Sequence, residues 1–489
     1  MAKYRPSKSF LLAMGSMLPI GVALVFGLLP ELEAISKPPV PGVIVFPATR
    51  PMDRPATERR ASTASSRGGW SLDWLDERLE DLMAWDRNPW KREKPKGFGE
   101  HYFNLLSSED PADQAKAAEL RRQAKLLYQQ VLKRYPELAV TLRKVPDERN
   151  GFLKLLQLLE RFEPNPARPS PDNISEIPFP ESLKKYLSGT SPFNAAEARA
   201  WLAEEKALLD EVRAIGLLPE QSIAGIDVDR YGFFSARLAK GLSEALLLEA
   251  RLAAEEGNVA GALEAVRAAK GLGDHIGNVE SPSLLGVTVQ TLLNLQAQSQ
   301  TLSQIIPALP PGQFDPAAWE AVVRPQVVPP SEYSRIMKGE WNVGVQQFIL
   351  PIVCDAEDPK YPADPEALID CYSGLFAEIV AAYDKPTAAD WASVSSPPLP
   401  DMSDLSRGSR QTAEIMMVGE QAWSRGLIRS QHITGMTDAA FAIMKGQPVP
   451  NDPIHGLPYV WDPVTRQLSA PAYRAFAEAD LKPITVPAK

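Results

Sequence analysis

Residues 241–276 read GLSEALLLEARLAAEEGNVAGALEAVRAAKGLGDHI, and this stretch decides the fold class of the chain. Apolar side chains recur every three or four residues on both sides of Gly257 and Asn258, which is typical of two amphipathic helices. Small side chains such as Ala262 and Ala269 allow two antiparallel helices to approach closely. The stretch therefore predicts a helical hairpin with its turn at the Gly-Asn step.

The same stretch resembles a tetratricopeptide repeat. The Gly-Asn turn, Ala262 five positions after the glycine and the later Ala269 match that family's pattern, whereas its usual aromatic residues are missing. The resemblance covers one repeat of about 34 residues, without a clear second copy in the sequence. It implies a helical hairpin and, if the hairpin belongs to a solenoid, a concave surface that binds a protein or peptide.

A long stretch without charged residues, 281–314, follows the hairpin. A second membrane span is one interpretation, but six amide side chains make the stretch too polar for a helix that faces lipid. A buried central helix, packed on all sides by its neighbours, is the favoured interpretation. The six amides ahead of Pro307 are Gln290, Asn294, Gln296, Gln298, Gln300 and Gln304.

Further helices are predicted where apolar side chains follow helical spacing, over 113–135, 150–162 and 194–216, with Asn194 as an N-cap. Apolar residues make up 44% of the chain and charged residues 23%, which are the proportions of a folded globular protein. The chain has 46 prolines, with clusters at about 37–55, 164–180 and 307–330 that indicate linkers or long connections.

The N-terminus carries the clearest signal of location. Residues 9–30 contain no charge, and a helix of this length crosses a hydrocarbon core of roughly 30 Å. Lys3, Arg5 and Lys8 precede the run, which predicts an uncleaved signal-anchor with the rest of the chain outside the cytoplasm. A cleaved signal peptide is the alternative, since it shares the basic start and the apolar core, but the run is longer than usual.

The composition divides the chain into five parts. Residues 1–8 form a cytoplasmic start and 9–30 the anchor, while 31–69, rich in proline and serine, are predicted to be a tether. Residues 70–450 are predicted to form an α-helical soluble domain, and 451–489 an extended C-terminal segment. The predicted fold class is all-α: a transmembrane helix, then a TPR-like or irregular helical bundle, then a short non-helical segment. The predicted location is the inner membrane, single-pass, with the soluble part extracytoplasmic or periplasmic.

Several classes of partner and cofactor are not expected. The formal net charge is −9, and the only basic run without many acids is the short stretch 91–96, so nucleic acid is not an expected partner. The sequence contains no P-loop and no dinucleotide-type G-x-G-x-x-G, and no cofactor is predicted. A metal site is not predicted either, since no C-x-x-C and no histidine cluster is present.

The two cysteines, Cys354 and Cys371, bracket an acidic and proline-rich loop. In an oxidising compartment a disulfide between them would stabilise the fold by about 3 kcal/mol in the chain-entropy model. Two unrelated buried thiols are the alternative. The disulfide is the one candidate site that the sequence supports.

No catalytic residue is assigned from the sequence. The four histidines are far apart, none lies in a metal-binding or protease motif, and no G-x-S-x-G is present. Acidic pairs such as Glu357 and Asp358 are expected on a solvated surface. The histidines are His101, His275, His432 and His455.

The order of parts is similar to that of a loosely defined group of uncharacterised bacterial membrane-anchored helical proteins. Shared features are the anchor, a G-N-x-x-x-A-L hairpin, a long apolar helix and a terminal D-P-x-x-G-x-P motif. In this sequence the motif is Asp452, Pro453, Gly456 and Pro458. The resemblance implies no known activity.

The segment after this motif departs from helical spacing. Tyr459, Val460 and Trp461 are followed by Asp462 and Pro463, a pattern that predicts a short hairpin-like or extended segment. A ligand-binding loop is one interpretation. A cap that packs its aromatic residues on the helices is the favoured one.

These observations lead to two hypotheses about function. The first is a protein-interaction scaffold of the cell envelope, which is held to the membrane through residues 9–30 and presents a helical surface to another envelope protein or peptide. The alternative is an envelope hydrolase whose active site is built from distant Asp, Glu or His residues. Whether the protein is an enzyme is left open by the sequence.

Overall fold

The computed structural model describes residues 99–162, 177–188, 190–231, 236–323, 330–384, 401–403, 405–407, 409–410, 413, 419–453, 456–470 and 483–488. The helices of this part are α1 (Glu100–Ser107), α2 (Pro111–Arg134), α3 (Gly151–Phe162), α4 (Glu181–Leu187), α5 (Ala195–Glu204), α6 (Lys206–Gly216), α7 (Val228–Tyr231), α8 (Ala236–Glu255), α9 (Val259–Gly277), α10 (Leu284–Gln300), α11 (Pro316–Val323), α12 (Pro330–Gly344), α13 (Leu350–Cys354), α14 (Pro365–Tyr383) and α15 (Gly419–Met444). Three short strands follow, β1 (Val460–Asp462), β2 (Gln467–Ser469) and β3 (Ile484–Thr485).

The predicted hairpin is confirmed as α8 and α9. Gly257 turns the chain with φ of +76°, a left-handed conformation that favours glycine. The side chain of Asn258 then accepts a hydrogen bond from the backbone N–H of Gly261 (3.1 Å) and caps α9. Ala262 and Ala269 are fully buried in the interface. Membership of the tetratricopeptide family stays a prediction.

The predicted buried central helix is also confirmed, as α10. Its amides bind different neighbouring helices: Gln296 donates to Glu244 of α8 (2.9 Å), and Gln298 accepts from Thr437 of α15 (3.0 Å). Because buried polar groups need hydrogen-bond partners, these bonds allow an amide-rich helix to be enclosed on all sides. Gln290 and Asn294 donate to Asp274 of α9, and Gln304, just beyond the end of α10, accepts from Tyr186 of α4.

Two hydrophobic cores share α10. The first core is formed mainly by α3–α6, α8, α9, α11, α15 and the strands, and Leu293 of α10 packs in it. The second core is formed mainly by α1, α2 and α12–α14, and it takes Leu284 and Val287 from the beginning of the same helix. α10 therefore joins the two halves of the described fold. It makes side-chain hydrogen bonds to α8, α9 and α15 and apolar contacts in both cores.

The other predicted helices are present with small differences. The helices expected over 113–135 and 150–162 correspond to α2 and α3, and Asn194 caps α5 by accepting a hydrogen bond from the backbone N–H of Glu197 (3.3 Å). The single helix expected over 194–216 is instead two helices, because the chain turns at Glu205.

One helix crossing depends on glycine. Where α6 meets α9, a β-carbon on Gly271 would overlap with the backbone carbonyl oxygen of Gly216, and one on Gly216 would overlap with that of Ala268. A backbone carbonyl in a packed helix cannot move away as the end of a flexible side chain can. The contact therefore excludes any side chain at these two glycines.

Gly271→Ala is expected to lower the free energy of unfolding by about 1–3 kcal/mol, because the added methyl group forces the two helices apart. Gly374→Ala in α14 is the matched control, since no atom of a neighbouring element lies within 4 Å of the position that its β-carbon would take. That change should raise stability by about 0.5–1 kcal/mol through helix propensity alone. Chemical denaturation of both variants measures the difference, and equal effects would contradict the close crossing.

The C-terminal segment forms the predicted hairpin. β1 pairs with β2 and β2 pairs with β3, both antiparallel, in the order β1-β2-β3. The side chain of Asp462 accepts hydrogen bonds from the backbone N–H of Val464 (2.9 Å) and from the hydroxyl of Thr465 (2.6 Å), which closes the turn. The buried side chains of Tyr459, Leu468 and Ile484 place the segment on the first core.

The prediction of a membrane-spanning helix is corrected. Within the part of the chain that the structure describes, no helix is long and apolar enough to cross a bilayer. Even the uncharged α10 carries amides along its length, and amides lower its mean hydropathy. The predicted anchor, 9–30, and the tether, 31–69, lie outside the described residues. The transmembrane part of the fold class and the single-pass, signal-anchor and inner-membrane assignments are therefore withdrawn.

Candidate functional site

Two of the four histidines each pair with a buried aspartate that lies outside the histidine's own helix. His432 pairs with Asp452, and His101 with Asp355. His275 is buried between helices, with Nε2 2.9 Å from the carbonyl oxygen of Ile215, and burial lowers its pKa. His455 lies outside the described residues.

The His432–Asp452 pair is enclosed completely. Nδ1 of His432, on α15, lies 2.6 Å from Oδ1 of Asp452, and both side chains are 0% exposed. A carboxylate at this distance in a dry environment makes a strong, charge-assisted contact. The pair therefore fixes the chain after α15 to the middle of that helix.

Asp452 is the first residue of the D-P-x-x-G-x-P motif, and backbone hydrogen bonds join it to Gly456 and Leu457 near the other end of the motif. The backbone N–H of Asp452 donates to the carbonyl oxygen of Leu457 (2.7 Å), and that of Gly456 donates to the carbonyl oxygen of Asp452 (2.9 Å). Gly456 has φ of +67°, which explains the glycine in the motif. The loop aims the Asp452 side chain inward at His432.

Tyr459 packs directly behind this loop. A β-carbon on Gly435 of α15 would overlap with the Tyr459 hydroxyl and with the Pro453 ring, so that a glycine is needed for the loop to lie on the helix. Burial raises the pKa of Tyr459, and the carboxylates of Asp452 and Asp438 raise it further. The tyrosine stays neutral and acts as a packing group.

The hairpin that the loop carries exposes apolar side chains. Leu457 is 42% exposed, Val460 60% and Val464 89%. β1 has β2 on one side and no other strand beside it among the described residues. We call Leu457, Val460 and Val464 the hairpin surface.

The His101–Asp355 pair has a different environment. Nδ1 of His101, on α1, lies 2.6 Å from Oδ2 of Asp355, which follows α13. The aspartate side chain is 1% exposed and the histidine 28%. This imidazole is held through Nδ1 by a buried carboxylate, and the rest of the ring is partly open to solvent.

The predicted disulfide residues lie at the second core. Cys354 and Cys371 are free thiols in the structure, and both are half-buried against that core. Burial raises the pKa of each thiol, which keeps it protonated and unreactive. The bridge stays a prediction.

If Cys354 and Cys371 are free, as they are in the structure, two thiols per chain react with a thiol reagent in denaturant without reductant. In the native protein the same reaction should be slow, because buried thiols with a raised pKa supply little thiolate. Protein purified without reductant is the sample to test, and a fully reduced sample is the control. Recovery of no thiols would show that Cys354 and Cys371 are bridged.

Comparison with known proteins identifies no relative: no family model, curated protein or solved structure matches the chain. Within the described ranges, no group of three or more His, Cys, Asp or Glu side chains is arranged to hold a metal ion. Function therefore has to be inferred from the geometry of this chain alone.

Sequence reasoning missed both histidine pairs. The D-P-x-x-G-x-P motif singles out Asp452, but nothing in the sequence indicates that its partner is His432 on the preceding helix. Asp355 lies 254 residues from His101, a separation that no local pattern can bridge. Of the acidic pair expected on a solvated surface, Glu357 is exposed and pairs with Lys116, whereas Asp358 is buried and accepts a hydrogen bond from the backbone N–H of Gly99.

Proposed function

We propose that this protein is a helical scaffold that binds an extended segment of another protein or peptide at the hairpin surface. The observation that carries the proposal is the exposure of Leu457, Val460 and Val464 on an element whose base is locked by a buried histidine–aspartate pair. A surface that is both apolar and fixed is what peptide recognition needs.

The grouping of the apolar side chains supports a binding role. Among the described residues seven large apolar side chains are exposed, and three of them fall between 457 and 464. Single exposed apolar residues are ordinary, whereas a group on one short element marks an interaction site. The other four, Leu126, Leu142, Leu217 and Tyr361, are spread over the rest of the sequence.

The open edge of β1 supports an extended partner. An edge strand presents backbone N–H and C=O groups that a further strand can pair with, and peptide recognition by strand addition uses such edges. Val460 and Trp461 pair only with Ser469 and Leu468 of β2 among the described strands. A peptide with apolar side chains at alternate positions can pair with β1 and cover Val460 at the same time.

The rigidity of the surface favours affinity. Asp452 holds the loop, the Asp462 side chain closes the turn, and Arg466 donates to the backbone carbonyl oxygen of Val486 (2.8 Å). Because the surface is ordered before binding, little conformational entropy is lost when the peptide docks.

A peptide library tests the proposal. The full-length chain is panned against displayed random peptides, and the enriched sequences are expected to alternate apolar and polar residues. Val460→Asp should weaken binding of an enriched peptide by about tenfold or more. A central apolar contact contributes about 1–2 kcal/mol or more, and about 1.4 kcal/mol corresponds to a tenfold change in affinity. Leu126→Asp, at an exposed leucine of α2, is the matched control and should leave the affinity unchanged.

The strand-pairing part has its own test. Methylating alternate backbone nitrogens of the enriched peptide removes the hydrogen-bond donors of one edge, which should abolish binding, while methylating the other set should not. No enrichment over the Val460→Asp chain, or equal affinity for wild type and Val460→Asp, would contradict the hairpin surface. Equal affinity of both methylated peptides would contradict pairing on β1.

A further inference from the structure

His101 and Asp355 form a second candidate site. This site lies at the second core, and none of its elements carries the hairpin surface. Nδ1 of His101 faces the Asp355 carboxylate at 2.6 Å, so Nε2 lies at the opposite corner of the ring. Nε2 makes no hydrogen bond to the described residues, and the side chain is 28% exposed. Solvent can therefore reach the nitrogen that the aspartate does not hold.

The loop that carries Asp355 is fixed without help from the histidine. The backbone N–H of Asp355 donates to the carbonyl oxygen of Ile352 at the end of α13. Asp358 accepts from the backbone N–H groups of Gly99 (2.6 Å) and Lys360 (2.7 Å) and so ties the loop to the start of α1. Contacts made by other groups therefore hold the His101 imidazole and the Asp355 carboxylate in position relative to each other.

This arrangement has a chemical consequence. A buried carboxylate that accepts from Nδ1–H selects the tautomer whose lone pair is on Nε2, and it stabilises the imidazolium that forms when Nε2 takes a proton. Asp355 itself is 1% exposed, and Oδ1 has no hydrogen-bond partner among the described residues, so His101 is the side chain that it serves. The pair has the geometry of a general base with its orienting acid.

We propose that His101 is the general base of a hydrolytic site that cleaves carboxylic esters, with Asp355 as its positioning residue. Nε2 takes a proton from a water molecule while the water oxygen forms a bond to the ester carbonyl carbon. The tetrahedral intermediate then breaks its bond to the leaving oxygen, which receives the proton from Nε2. The products are the acid and the alcohol, and His101 is neutral again.

The loop that carries Asp355 also carries Glu357, whose charge is balanced by a cation. Lys116 of α2 forms an ion pair with Glu357, and both Lys116 and the nearby His101 lower the pKa of that carboxyl. Glu357 therefore stays ionised and paired with Lys116.

Hydrolysis of p-nitrophenyl acetate by the full-length protein tests the proposal. His101→Gln should lower the rate by about tenfold or more, the smaller end of what a general base contributes. Asp355→Asn should lower it by a similar factor. Lys360→Gln is the matched control in the same loop and should leave the rate unchanged, since that side chain makes an exposed ion pair with Glu100. Thermal denaturation of the three variants checks that each is folded.

Two readouts separate catalysis from a structural role. Added imidazole should restore hydrolysis by His101→Ala above the rate of the same solution without protein, and the wild-type reaction should be slower in D2O. Equal rates for wild type and His101→Gln, or no rescue by imidazole, would overturn the proposal. Neither result bears on peptide binding, which Val460→Asp tests separately.

Discussion

Asp452→Ala is expected to lower the free energy of unfolding by about 3 kcal/mol, the upper end of the cost of leaving a buried hydrogen-bonding group without its partner. The reason is that His432 would remain in a place with no exposure and would lose the carboxylate that it pairs with. A second loss comes from the loop, because the Asp452 side chain ties it to α15. Chemical denaturation of the full-length protein measures the change.

The matched control is Asp462→Ala, in the turn of the same segment. Asp462 lies nearer the surface and accepts hydrogen bonds of the turn, so its loss should cost only about 1 kcal/mol. The double variant His432→Leu with Asp452→Ala should be more stable than Asp452→Ala alone, since no imidazole is left beside a missing carboxylate. A loss below about 1 kcal/mol for Asp452→Ala would show that the pair does not hold the loop.

Glu340→Gln is expected to raise stability above neutral pH by about 3 kcal/mol. Glu340, on α12, is 3% exposed, and its Oε2 accepts a hydrogen bond from the backbone N–H of Leu284 (2.8 Å). Burial raises the pKa of this carboxyl to about 7. A shift from 4.5 to about 7 corresponds to roughly 3 kcal/mol at about 1.4 kcal/mol per unit.

The sign of the effect follows from proton binding. Between pH 4.5 and about 7 the folded protein holds a proton on Glu340 that the unfolded chain has released, so stability falls as the pH rises through this window. Glutamine keeps the acceptor for Leu284 and carries no charge. The difference in stability between variant and wild type should therefore be near zero at the acid end of the window and complete at its alkaline end.

Denaturation of both proteins at several pH values measures this difference. Glu181→Gln on α4 is the control, because its side chain is 74% exposed and its contact with Lys185 is a surface ion pair of little energy. A difference for Glu340→Gln that does not change with pH would contradict the burial of the carboxyl.

Much of the helical fold could be predicted from local pattern. The α8–α9 hairpin follows from apolar spacing and from the Gly-Asn step, and both signals lie within a few residues of what they specify. The same holds for Asn194 as a cap and for the turn at Asp462. The enclosed position of α10 could be predicted because a stretch without charge but with many amides fits neither a surface nor lipid.

The candidate sites could not be predicted, because they depend on contacts between distant elements. Glu340 stands between Gly339 and Trp341, with Lys338 and Asn342 beyond them, and this local sequence gives no sign that its carboxyl is buried. His101 meets Asp355 only after α1 and α13 pack on the second core. The apolar character of Leu457, Val460 and Val464 is visible in the sequence, but their exposure is decided by which face of the hairpin lies on the first core.

The proposed binding surface requires a hairpin that is fixed to the helical body, and hydrogen exchange in residues 457–470 measures this directly. In the wild-type protein the β1–β2 amides should be protected, and Asp452→Asn should remove that protection while α9 and α10 keep theirs. That result would show that the His432–Asp452 contact holds the hairpin surface in place. Unprotected β1–β2 amides in the wild type, or full protection in Asp452→Asn, would contradict it.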